Sequence, residues 1–173
     1  MFLPCIKFIP PGKSLTISDM QIEFGPNGSI DVQTSPGSGL PGGYLELNNT
    51  TLTADRDCGM DNNHWQGVTV EGDAMNDQFT HSFAGAPGRY QGFVRMSNNS
   101  VISYATTGVS CITSGTLRRN NKAGGVIIAS NSRFEDNNLA VNMSDYLKPI
   151  SLLRPYSYGN QSQFRNCDFT SSI

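Results

Sequence analysis

The stretch "SNSRFEDN", Ser130 to Asn137, decides how this chain is read. Its core is Asn, then Ser or Thr, then any residue, then a large apolar one. The same pattern occurs as "NTTL" from Asn49 and "NSVI" from Asn99, and a looser copy, "QSQF", starts at Gln161. Self-similarity at intervals of a few tens of residues signals a stacked architecture and has to be weighed before any local element. From Asn49 to Asn99, to Asn131 and to Gln161 the steps are 50, 32 and 30 residues.

Aligning the copies on Leu52, Ile102, Phe134 and Phe164 brings out what precedes them. "GGYLELNNTTL" from Gly42, "QGFVRMSNNSVI" from Gln91 and "GGVIIASNSRF" from Gly124 share one plan. Each has glycine, a short alternating strand, a polar bend, and a second short strand. A third strand follows in "WQGVTVEG" (Trp65 to Gly72) and "LAVNM" (Leu139 to Met143). Near the start, "SLTISDMQIEFGPNGSIDV" holds three strands in one unit. Such a unit cannot bury its apolar side alone; stacked on copies of itself, it can. Parallel stacking sets like residues about 4.8 Å apart. It predicts a side-chain ladder of Asn49, Asn99, Asn131 and Gln161 at the bends. An amide offers both donor and acceptor, and Asn tolerates the left-handed backbone of a sharp bend. Leu, Ile and Phe at the fourth position are the predicted interior.

With these segments, and with "HWQGVTVEG" and "SQFRNCDF", the chain resembles the right-handed parallel β-helix (pectate-lyase-like solenoid) segments of large secreted and cell-surface bacterial proteins. The resemblance implies an all-β fold, a right-handed single-stranded parallel β-helix of about five coils with long loop insertions. It covers residues 1–173 as one domain, read as a fragment of a longer chain. Five coils would stack to about 25 Å. It also implies a secreted or surface setting, with the export signal outside this sequence, and further coils or domains of the same protein as partners.

Composition limits the function. The net charge is −2 with 15% charged residues, so there is no cationic surplus for nucleic acid. No apolar run approaches the roughly 20 residues of a membrane-spanning helix. Cys5, Cys58, Cys111 and Cys167 form no CxxC pair, which argues against a structural zinc site, and their wide spacing suits core thiols better than disulfides.

Function is expected on the insertions. Residues 73–90 and 144–160 carry Phe79, Phe83, Tyr90, Tyr146, Tyr156 and Tyr158. Aromatic faces of this kind stack on sugar rings, or else pin the loops to the wall. A polysaccharide or surface glycan is the expected ligand. In residues 55–64, Asp55, Asp57 and Asp61 form a partial calcium loop, so calcium is the one cofactor considered. Trp65 is expected in the core, and His64 and His81 as polar loop residues.

Glycosidic cleavage needs two carboxylates at a defined separation. In the alignment, no column carries two acids, and Glu135 is expected to stack against Arg165 as a surface ion pair. The leading expectation is a non-catalytic segment acting as adhesin, stalk or glycan-binding module. The alternative is a fragment of a polysaccharide lyase or glycoside hydrolase with a loop-built site.

Overall fold

The computed structural model describes residues 2–3, 7–35, 40–55, 64–73, 78, 90–111, 124–143 and 160–171. The strands are β1 (Phe2–Leu3), β2 (Lys7–Ile9), β3 (Ser14–Ser18), β4 (Gln21–Phe24) and β5 (Ser29–Val32). Then come β6 (Tyr44–Asn48), β7 (Thr51–Ala54), β8 (Trp65–Val70), β9 (Phe93–Ser97) and β10 (Val101–Ser103). Last are β11 (Ala105–Ser110), β12 (Val126–Glu135), β13 (Leu139–Asn142) and β14 (Gln163–Thr170). The described residues are strand, turn, bend or irregular, with no helix among them, and each pairing between these strands is parallel.

They form two sheets. The five-stranded sheet runs β13-β11-β8-β5-β2. The nine-stranded sheet has two arms that meet on β12. One arm is β3-β6-β9 and the other is β1-β4-β7-β10, while β14 pairs along β12 from Ile128 to Glu135. The larger sheet therefore curls at the corner between its arms.

This corrects the single-stranded solenoid expected from the sequence, and with it the resemblance to secreted bacterial β-helix proteins. β12 passes through the corner as one ten-residue strand, pairing β9 with its first half and β10 with its second. The ladder is continuous around that bend, so the two arms form one curled sheet.

Inside, alternation does the work. Ile22, Leu52, Ile102 and Phe134 stand directly over one another, all buried, with Phe169 next in line. Ile17, Leu47, Met96, Ala129 and Phe164 make a second column. Ile30, Val68, Val109 and Val141 line the five-stranded sheet. Each fully buried Leu, Ile or Phe contributes about 1.5–3 kcal/mol relative to exposure.

The corner between the arms explains the repeated tetrapeptide. Asp19, Asn49, Asn98, Asn99, Asn131 and Asn166 all have φ between 47° and 62°, left-handed backbone that Asn and Asp tolerate best. The residue after the corner Asn turns inward and is fully buried in Thr50, Ser100 and Ser132. Its hydroxyl donates back to a carbonyl of the same turn: Thr50 to Asn48 (3.0 Å), Ser100 to Ser97 (2.6 Å) and Ser132 to Ser130 (2.9 Å). A buried hydroxyl without a partner would be costly, so Ser or Thr is favoured there because the turn itself supplies one.

Between the sheets the chain bends on glycine. A Cβ on Gly125 would lie 2.1 Å from the Val70 carbonyl oxygen, so no larger residue fits that approach. Gly67 has φ +97° opposite an irregularity in β11, where Thr107 pairs Gly67 and Val109 pairs Val68, leaving Gly108 as the extra residue.

Candidate functional site

On the outer face of β6 and β9, an aromatic ring, a carboxylate and a guanidinium meet. Period two turns Leu45 and Leu47 into the core and therefore turns Tyr44 and Glu46 outward. β9 sits in register, with Phe93 over Tyr44 and Arg95 over Glu46. The Tyr44 ring stacks on Phe93 with centroids 5.6 Å apart. Phe93 is fully buried although it faces away from the core column, so Tyr44 rests on a rigid aromatic floor.

The Tyr44 phenol lies within electrostatic reach of the Arg95 and Glu46 side chains. Burial holds its phenol above the ordinary tyrosine range, the Glu46 charge adds to this, and Arg95 opposes it. The hydroxyl therefore stays protonated through neutral pH. Thr16 lies beside Glu46 on one side of the group, and Ile128 then Gln163 continue beyond Arg95. A ring for stacking, a planar five-donor cation and an acceptor carboxylate on one flat face suit a polyhydroxylated or carboxylate-bearing ligand.

The residues singled out in the sequence fall as follows. Phe79, Phe83, Tyr146, Tyr156, Tyr158, Asp57 and Asp61 lie outside the described residues. The backbone carbonyl of Tyr90 accepts from Thr34 Oγ1 (2.6 Å) and Ser35 N (2.8 Å), tying this segment to the end of the β5 segment. Asp55 is buried just after β7, its amide donating to the Phe24 carbonyl (2.8 Å). No group of three metal-ligating side chains occurs among the described residues.

At the corner, Asn49 Nδ2 donates to Asp19 Oδ1 (2.8 Å), Asn98 Nδ2 to Asn48 Oδ1 (2.7 Å) and Asn166 Nδ2 to Asn131 Oδ1 (3.2 Å). The Asn98–Asn99 turn has one residue more than its neighbours. There the side-chain link shifts to the Asn48–Asn98 pair, and Asn99 bonds through its backbone to the Asn131 carbonyl (2.7 Å). Gln161 stands away from this corner, its backbone N–H donating to Gln78 Oε1 (2.8 Å), and the residue over Asn131 is Asn166. The last strand is therefore aligned by "NCDF", Asn166 to Phe169, with Phe169 over Phe134 and Phe164 over Ala129.

The Glu135–Arg165 stack is likewise corrected. Arg165 lies over Ser130 and bonds Gln163 (2.9 Å), while Glu135 bridges Arg133 at 3.0 Å. That pair is solvent-exposed and contributes little. Trp65 is fully buried, donating Nε1–H to the Ser103 carbonyl (2.9 Å). His64 Nε2 lies 3.2 Å from the Asp136 carbonyl oxygen.

Sequence reasoning passed over Tyr44, Glu46 and Arg95. The signal was alternation in "GYLELN" and "FVRMS", in which every second residue faces out. No protein-family model, curated protein or solved structure matches this chain. No helix among the described residues is long and apolar enough to cross a membrane.

Proposed function

We propose that this chain is a non-catalytic segment of a secreted or surface protein, serving as a stiff support that binds glycan on its outer face. Support for stiffness comes from the pairing, in which each strand lies parallel over a strand from the preceding unit of the chain. The low charge and the Asn, Ser, Thr and Gly content favour an extracellular setting.

One observation carries the glycan reading: Tyr44, Glu46 and Arg95 share a flat, rigid face, with the Tyr44 ring held on Phe93. Arg95 is exposed and points out from a strand paired on both sides, so the backbone that carries its guanidinium is ordered before a ligand arrives. Uronate-bearing polysaccharide fits best, since a guanidinium takes a carboxylate in bidentate fashion.

The test is retention on immobilised acidic and neutral polysaccharides, with calcium and with chelator, while new chain ends are counted. Retention on the acidic polymers without cleavage, weakened in Arg95→Ala, is expected. Calcium-dependent cleavage would overturn the proposal, favour the lyase alternative and direct attention to Asp55, Asp57 and Asp61. Retention unchanged by Arg95→Ala would remove the binding face from this site.

A further inference from the structure

The geometry points to the β14 edge as a docking site for one kind of partner: an extended segment carrying Asn–Ser/Thr–x–large apolar residue, added in parallel register. Among the described residues β14 pairs only with β12, so its other edge presents a row of backbone donors and acceptors. Its corner and apolar residues follow those of β12, with Asn166 beside Asn131 and Phe169 over Phe134. Phe169 is 51% exposed and stacks on Phe134 at 5.1 Å and 4° between planes. Phe164 meets both rings edge-on, at 6.1 Å from Phe134 and 5.8 Å from Phe169. The three rings form an apolar platform beside an open strand.

The corner amides specify the partner further. In each of the three links the later strand donates Nδ2–H and the earlier strand accepts through Oδ1. Asn166 uses its Nδ2 on Asn131, which leaves its Oδ1 as the acceptor facing the next layer. An incoming Asn meets that acceptor with a donor. An incoming Asp, which carries no hydrogen at neutral pH, sets oxygen against oxygen. The chain's own first corner residue is Asp19, which accepts from Asn49 and has no hydrogen to give. Asp19 therefore does not fit the β14 edge. Strand addition of this kind draws affinity from the backbone and selectivity from alternate side chains. This edge lies two strands beyond Arg95 in the same sheet but uses none of Tyr44, Glu46 or Arg95, so it stands independently of glycan binding.

The experiment uses the full chain and a fluorescein-labelled, end-capped peptide of the chain's own sequence VIIASNSRFE (residues 126–135), followed by anisotropy. A second peptide carries Asp in place of the corner Asn. Two protein variants accompany them: Phe169→Asp at the proposed edge, and Phe8→Asp on β2 at the far edge of the other sheet, where Phe8 is also exposed. Circular dichroism checks that both variants fold. The expected result is saturable binding of the Asn peptide, about tenfold weaker binding of the Asp peptide, loss with Phe169→Asp and no change with Phe8→Asp. Absence of saturable binding, equal affinity for both peptides, or equal loss in the two variants would overturn the proposal.

Discussion

Phe24 and Trp65 stack face to face, ring centroids 4.3 Å apart and planes within 9°. Phe24 ends β4 of the nine-stranded sheet and Trp65 begins β8 of the five-stranded one, so this pair joins the two sheets across the core. Both rings are essentially inaccessible to solvent. Trp65→Ala should destabilise the fold by about 3–5 kcal/mol, since it removes a large buried volume and leaves a cavity. Trp65→Phe should cost less, losing mainly the bond to the Ser103 carbonyl. Urea titration of the three proteins checks the order. As the chain's single tryptophan, Trp65 also predicts blue-shifted native fluorescence that moves red on unfolding.

The left-handed corner gives a second test. Asn131 has φ 47° and accepts from Asn166. Asn131→Gly and Asn131→Ala both lose that amide link, but only Ala is strained by the backbone. Ala should therefore be less stable than Gly by about 1–2 kcal/mol, the reverse of their order in an ordinary strand. Denaturant midpoints of the two variants provide the comparison.

Gly67 offers a sharper contrast. Its φ is +97°, and an added Cβ would lie 1.7 Å from the Thr107 carbonyl oxygen. Gly25, by contrast, has nothing within 4 Å of the same atom. Gly67→Ala should cost more than about 2 kcal/mol, whereas Gly25→Ala should stay within about 0.5 kcal/mol of the parent. Equal midpoints for the two variants would contradict the close approach of β8 and β11.

The Cys111 thiol is buried, and burial raises its pKa from 9.0 to about 12. The unfolded chain gives up this proton at lower pH than the native one. Between those values the native state holds more protons, so the thiol's contribution to stability falls as pH rises. The slope is at most about 1.4 kcal/mol per pH unit. The stability advantage of the parent over Cys111→Ala should be constant below pH 9 and shrink above it. Thiol reagents at neutral pH should leave the Cys111 peptide unlabelled until denaturant is added.

Tyr44 reports on its two charged neighbours. Arg95 lowers the phenol pKa and Glu46 raises it. Arg95→Ala should move the Tyr44 titration still higher and Glu46→Gln should bring it down. Ultraviolet titration of each variant against its Tyr44→Phe counterpart isolates that phenolate. Unchanged midpoints would mean the three side chains do not meet.

The amino-acid sequence by itself determined the all-β character, the parallel stacking of short strands and most of the interior. Leu52, Ile102 and Phe134 are marked because each follows a corner Asn by three residues, and the corner is marked because few residues accept its backbone. The final strand was misaligned by reading "QSQF" as the copy. The tertiary structure chose "NCDF" instead, because only Asn166 can take the left-handed turn over Asn131 while Cys167 faces inward in the hydroxyl's place, its Sγ 3.4 Å from the Arg165 carbonyl oxygen. Only the tertiary structure decided that the strands close into two sheets with a curled larger one. That depends on whether the ladder survives the bend, and β12 and β14 carry it through while the bends of the earlier units interrupt it. The Tyr44–Glu46–Arg95 group was decided the same way. Alternation places each side chain outward, but which residue of β9 stands over which of β6 is a matter of register between strands some fifty residues apart, fixed by the stacked corners and the interdigitated core.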